Sequence, residues 1–255
     1  MKRTMATGVY RKAVLWAVGI FTVVMLSSCG AHPKTVIYML FDLSGSTAET
    51  SIRESYFRAA VDQVVDKFKE GTVMADVIND NPLTRDSFIE EKWPADSLTA
   101  NALVVKSQRR KAADNLQGKL RNLLFGSAPT KKTDILNAFQ MVEKQLNGGM
   151  YGAYANKFLL VFSDMMEESP RHNFKSNLGE REIQAIIDAE KKAGSLPDLK
   201  GVKVWVIGAN TGTSTPNNTA QIYRIQDFWL AYFKAAGANL TKDRYGPTLL
   251  NFSLD

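Results

Sequence analysis

The chain has 255 residues, with 32 lysines and arginines against 26 aspartates and glutamates, a formal net charge of +6 and a single cysteine. That length suits one domain with a substantial core, and one cysteine excludes an internal disulfide framework. Four of the positive charges, Lys2, Arg3, Arg11 and Lys12, fall in residues 1–28, which carry no acid, so without that segment the charge drops from +6 by four to +2. Such a balance points away from nucleic acid, which calls for a strongly basic domain with clustered cations. The Arg109-Arg110-Lys111 run is the best candidate for a cluster, and it reads as a solvated helix face.

The amino-terminal segment has the form of a targeting sequence. Its basic start leads into an almost unbroken apolar run, Ala13 to Met25. That run is shorter than the roughly 20 apolar residues of a membrane-spanning helix, so an uncleaved anchor helix is the weaker reading. Leu26-Ser27-Ser28-Cys29 then resembles a bacterial lipobox. The resemblance implies cleavage before Cys29 and lipid attachment to it. Residues 1–28 are then a lipoprotein signal peptide, 29–34 a lipidated cysteine with a short tether, and 35–255 the domain proper. Acyl chains contribute about 0.8 kcal/mol per buried CH2, so the domain would be tethered to a membrane without spanning it. Gly30, where an aspartate would retain the protein on the inner membrane, implies by likeness to Gram-negative lipoproteins the outer membrane and a periplasmic face.

Thr35 to Phe41 is a continuous apolar run rich in strand formers, as in a strand covered on both faces of a parallel sheet. Ile52, Tyr56, Ala60, Val64 and Phe68 recur at helical spacing up to a stop at Gly71. Val73 to Ile78 predicts a second strand, and Ser87 to Trp93 a short edge strand between Pro82 and Pro94. Helices are expected over residues 98 to about 125 and Asp134 to Leu146, then a buried strand at Phe158 to Phe162. A helix over Glu182 to Ala193, a strand over Val202 to Ile207, an aromatic-rich helix over Ile222 to Ala236 and a final strand over Thr248 to Phe252 complete the chain. Alternating strands and helices predict a doubly wound α/β fold, a mostly parallel sheet with helices on both faces. In such sheets the ligand site lies beyond the carboxyl ends of the strands, where the strand order reverses.

At the end of the first strand stands Asp42-Leu43-Ser44-Gly45-Ser46-Thr47. In an extended turn, Asp42, Ser44 and Ser46 can present three oxygen ligands to one point, with Gly45 permitting the bend. Hard oxygens select a hard cation, and magnesium takes a few protein oxygens while leaving positions for waters or an incoming carboxylate. An apolar strand running into D-x-S-x-S resembles the metal-ion-dependent adhesion site of von Willebrand factor A (vWA) and integrin I domains. That family also carries a threonine in a loop before a later helix and an aspartate after the fourth strand. Thr133 opens T-D-I-L-N-A-F and Asp164 closes F-L-L-V-F-S-D.

The resemblance implies a vWA-like domain in which Ser44, Ser46 and Thr133 hold Mg2+, or Mn2+ or Ca2+, through hydroxyls. Asp42 and Asp164 would act directly or through water, and a protein partner would offer an acidic residue to the metal. Two departures bear on this: Lys131-Lys132 precede the threonine where glycine is common, and Met165 follows Asp164 where glycine is common. The simpler alternative is that Asp42 and Ser46 cap the following turn and helix.

An enzyme is the competing class. Haloacid-dehalogenase-like phosphohydrolases also place an aspartate after the first strand, but with a second acid two residues on, where this chain has Ser44. His32 and His172 lie outside the constellation, and neither a G-x-S-x-G nor a phosphate-binding G-x-x-x-x-G-K motif occurs. No catalysis is expected, and a metal-free scaffold is the third reading. Gly208 and Gly212 lack dinucleotide-binding spacing and predict a plain turn, while Phe228, Trp229, Tyr232 and Phe233 suit core packing at least as well as a partner surface.

Overall fold

The computed structural model describes residues 34–84, 88–96, 101–175, 178–209, 219–249 and 252–254. The signal-peptide and Cys29 lipidation readings, and the polar stretch Asn210 to Asn218 that includes Gly212, lie outside these residues. The rest form one unit around a sheet of six strands in the order β3-β2-β1-β4-β5-β6. The strands are β1 (Thr35–Asp42), β2 (Gly71–Ile78), β3 (Ile89–Trp93), β4 (Asn156–Phe162), β5 (Val202–Ile207) and β6 (Tyr245–Gly246). Every ladder is parallel except β2 with β3. This is the doubly wound α/β architecture that the alternation predicts.

β1 lies at the centre, paired with β2 on one side and β4 on the other, so the strand order reverses between β1 and β4. Alternate β1 residues point to opposite faces, and each face has its own core. Val36, Tyr38 and Leu40 pack with α3 (Ile135–Asn147), α4 (Glu180–Ala193) and α5 (Thr219–Ala235). Ile37, Met39 and Phe41 pack with α1 (Thr50–Ala60) and α2 (Ala102–Gly126). Being covered on both faces is why these strands read as unbroken apolar runs. The helix expected up to Phe68 runs regularly only to Ala60 and then widens into a π-helical turn, Val61–Val65. Arg53, buried on α1, ties α1 to the end of α2, because its Nη1 donates to the carbonyls of Leu124 at 2.7 Å and Ser127 at 3.1 Å.

Of the final strand expected over Thr248 to Phe252, residues 250 and 251 lie outside the described residues, and Thr248, Leu249 and Phe252 are not in a strand. Among the described residues the last pairing is two residues long, Val206 with Tyr245 and Ile207 with Gly246, and Pro247, which has no N–H, follows at once. Phe252 instead packs edge-on against Trp205, with ring centroids 5.2 Å apart, and its value lies in burial rather than in pairing. The lower half of the β5 edge is taken by Asn239, which accepts from Val204 N–H at 2.9 Å and donates to the Val202 carbonyl at 2.8 Å. The opposite edge is the antiparallel β3, with Glu90, Glu91 and Lys92 along it, in keeping with the edge expected between Pro82 and Pro94. Phe228, Trp229, Tyr232 and Phe233 are fully buried, so the aromatic cluster of α5 is core and not a partner surface.

Candidate functional site

The carboxyl ends of β1 and β4 carry the predicted acids into the reversal point. Asp42 ends β1, and Asp164 stands two residues beyond the end of β4. Both are buried, as are Ser44 and Thr133, whereas Ser46 is exposed. Asp42 Oδ1 accepts the Ser44 N–H at 2.8 Å, which sets the turn, and Ser44 Oγ lies 3.1 Å from Ser46 Oγ. The Ser46 hydroxyl hydrogen-bonds in turn to Asp164, whose Oδ1 accepts the Met166 N–H at 3.0 Å. Asp42 is thus tied to Ser44 through a backbone N–H, and Ser44, Ser46 and Asp164 to one another through side-chain oxygens.

Thr133 reaches this rim through its backbone. Thr130 N–H donates to the Leu43 carbonyl at 3.0 Å, beside the Ser44–Thr130 bridge. Thr133 exchanges both backbone hydrogen bonds with Glu168, at 3.2 and 2.9 Å. The loop before α3 is therefore fastened to both acid-bearing loops, with Thr133 between them. Lys131 and Lys132 are exposed. The capping alternative holds only for the turn: Ser44 makes no side-chain cap, and the residue capping α1 is Glu49, not Ser46.

Several residues of the site carry no signature in the motif itself. The Ser163 hydroxyl donates to Asp42 Oδ2 at 2.7 Å and accepts the Met165 N–H at 2.9 Å, joining the two acids' loops. Thr47 Oγ1 donates to the Asp42 carbonyl at 2.7 Å and closes the turn from below. Glu167 is fully buried, and its Oε2 accepts the N–H groups of Ile135 at 2.8 Å and Leu136 at 3.3 Å, capping α3 just past Thr133. Burial pushes its carboxyl up to about 8, helped by nearby Asp134 and opposed by the Ser169 hydroxyl and the two helix N–H groups. A polar residue next to a buried strand end was the only available signal for Ser163, while Glu167, which with Glu168 reads in the sequence as rim charge able to offset Lys131 and Lys132, is instead buried as a helix cap.

Met165 explains the departure from glycine. Its φ of 63° is left-handed, which costs a residue with a Cβ roughly 1–2 kcal/mol. The side chain is fully buried in the core, and its carbonyl accepts the Trp229 indole N–H of α5 at 2.9 Å. Packing and this hydrogen bond together hold the strained turn that aims Asp164. Gly208, at φ 94°, makes the plain turn expected of it, and a Cβ there would run into the Tyr56 ring.

The electrostatics of the pair decide what the site can hold. Burial pushes Asp42 up to about 7, and Asp164 beside it pushes the same way, against the hydrogen bonds from Ser44 and Ser163. Asp164 is raised too, by burial, against the Ser46 hydroxyl, the Met166 N–H and the charge of Lys175. Neither acid joins an ion pair among the described residues. No three His, Cys, Asp or Glu side chains converge among those residues either. The donors on offer are two carboxylates plus hydroxyls, which fits a hard divalent cation keeping several waters better than it fits zinc. His172 is engaged elsewhere: it lies with Arg171 against buried Glu190, His172 Nε2 at 3.2 Å and Arg171 Nη1 at 2.9 Å from Oε1.

No protein-family model matches the sequence, and no curated protein is similar to it. Among solved structures the fold is similar to that of the manganese-loaded TRAP protein of Plasmodium vivax, at 14% identity and a TM-score of 0.42, over 86% of this chain and 70% of that one. It is also similar to the pilus adhesin SpaC of Lactobacillus rhamnosus GG, at 12% identity and a TM-score of 0.41, over 85% of this chain and 28% of the adhesin. A von Willebrand factor type A protein from Catenulispora acidiphila aligns at 10% identity and a TM-score of 0.34, over 81% of this chain and 44% of its own. This chain thus spans less than half of the last two, and the likeness to von Willebrand factor A-type domains is one of overall fold.

Proposed function

We propose that this protein is a lipid-tethered vWA-like module that binds a partner protein through a divalent cation held by Asp42, Ser44, Ser46, Thr133 and Asp164. The observation that carries the reading is the pair of buried carboxyls, Asp42 and Asp164, linked through serine hydroxyls at the reversal point, with no ion pair to either among the described residues and only the more distant charge of Lys175 acting on Asp164. A bound Mg2+ supplies that charge. It also offers open coordination positions, which an acidic residue of the partner can fill. The exposed Lys131 and Lys132 add positive charge at the same rim and favour an acidic partner.

No catalysis is assigned. Ser44 cannot act as a second acid beside Asp42, and His172 is committed to Glu190. The tether is the lipid on Cys29, and the residue after it favours the periplasmic face of an outer membrane. The test is a magnesium-dependent pull-down from membrane extracts with wild type beside Asp164→Ala. Proteins captured only by wild type, and released by chelator, are the expected result. Capture indifferent to both the substitution and the chelator refutes the reading.

A further inference from the structure

The end of the sheet opposite the candidate cation site carries a feature that no part of that site uses. Arg109 of α2 donates to the Pro94 carbonyl at 3.2 Å and pairs with Asp96 at 3.1 Å, just past the end of β3. Trp93, which ends β3, is level with Gly71 at the start of β2, so Arg109 marks the amino-terminal edge of the parallel strands. α2 begins at Ala102, and at 1.5 Å per residue it overhangs that edge by about 10 Å.

The overhang is ordered by depth. Its outermost turn exposes Leu103 to 76% and Val104 to 52%, while Val105 turns inward and is buried. Lys106, Arg110 and Lys111 follow above it, all exposed, and no acid occurs in the first turn. Apolar side chains at the tip with cations about one to two turns higher match the boundary between acyl chains and anionic headgroups, into which apolar side chains insert by about 5–10 Å.

The chain enters the domain at this same end. Lys34 and Thr35 open β1 level with Asn156, and Cys29 stands five residues before Lys34. At about 3.5 Å per extended residue, a lipid on Cys29 keeps Lys34 within roughly 18 Å of the membrane. Lys67 and Lys69, with Glu70 beside them, stand at this end too, lining a groove of about 410 Å³ with Thr35, Phe252 and Leu254. A short tether fixes distance and leaves orientation free, so a second contact is what would set which way the domain faces.

We infer that the overhanging start of α2 docks end-on into an anionic lipid leaflet, with Leu103 and Val104 among the acyl chains and Lys106, Arg110 and Lys111 on the headgroups. The cation site then faces away from the bilayer, toward its partner. This rests on the proposed lipid tether and adds the orientation.

The test places an environment-sensitive fluorophore on Leu103→Cys in the full-length lipoprotein, reconstituted into vesicles of phosphatidylethanolamine with or without phosphatidylglycerol. Leu83→Cys, exposed beyond the opposite end of β2, is the control. The expected result is a blue shift at Leu103→Cys in the anionic vesicles, absent at Leu83→Cys and lost when Lys106, Arg110 and Lys111 are all changed to glutamate. Flotation with the vesicles but equal emission from the two labels overturns the inference alone. Failure of the wild type to float with any vesicle overturns the tether as well. A shift seen only in native membranes, and not in protein-free vesicles, overturns it in favour of a protein partner.

Discussion

Replacing Asp42 by asparagine makes the metal-free protein more stable at alkaline pH. In the fold the Asp42 carboxyl is pushed from an ordinary 3.8 to about 7, chiefly by burial. At about 1.4 kcal/mol per pH unit, keeping it ionised costs the folded state about 4 kcal/mol. Asparagine removes that cost. Its Oδ1 still accepts the Ser44 N–H, but its amide meets the Ser163 hydroxyl donor-to-donor, which returns about 1 kcal/mol.

The expected net gain for Asp42→Asn is about 3 kcal/mol at pH 8 in chelator. A carboxyl whose folded pKa stands above its unfolded one stabilises the fold in its protonated form. That contribution is fully present below about pH 4 and is lost as the pH rises through 7, so the gain vanishes in acid. Magnesium reverses the order at pH 8, because it stabilises the wild type and has no second carboxylate to bind in the variant. Urea unfolding from pH 4 to 8, with chelator and with Mg2+, measures all of this. Parallel curves for the two proteins would show that Asp42 bears no buried charge and that the site needs no cation.

Trp229→Phe removes the indole donor to the Met165 carbonyl and leaves that carbonyl buried without its partner, so a loss of about 2 kcal/mol is expected in thermal unfolding. Because the same hydrogen bond steadies the turn that aims Asp164, Mn2+ affinity measured by titration falls as well, and unchanged affinity would mean that packing alone holds the turn. Glu190→Gln weakens the double contact with Arg171 Nη1, at 2.9 Å to each oxygen, and is expected to cost about 2 kcal/mol at neutral pH, a figure reduced for the partial exposure of Arg171. Against the upward push of burial, hydrogen bonds from Ser195 and His172 and the charge of Arg171 hold the Glu190 carboxyl below its ordinary value. Its stabilisation is therefore present above about pH 4.5 and lost as the pH falls further, and wild type and variant are expected to converge in acid-unfolding curves.

The central strands were legible in the sequence because burial on both faces leaves nothing but apolar residues, as in Thr35 to Phe41 and Phe158 to Phe162. Helices with one wet face were equally plain from their spacing, and Val202 to Ile207 agrees to the residue. Near the carboxyl terminus Leu249 and Phe252 pack on the sheet, and apolar character alone does not tell such packing from pairing in a strand. Within the site, Asp42, Ser44 and Ser46 are local in sequence and declare themselves. Ser163 and Glu167 act through partners 121 and about 31 residues away, so even where the sequence marks Glu167 as a rim acid its capping role has no local pattern. Met165 looked like a departure from the adhesion-site pattern, yet the turn it occupies keeps the left-handed backbone for which glycine is the usual choice.

The two borders of the sheet bear on how copies of this protein meet. A strand border with open N–H and C=O groups recruits a neighbour's strand and grows into aggregates. Here one border is a five-residue antiparallel strand studded with Glu90, Glu91 and Lys92, and the other is a two-residue strand stopped by Pro247 with Asn239 occupying the backbone below it. Among the described residues, a neighbouring copy therefore meets charges and filled hydrogen bonds along both borders instead of an open strand template.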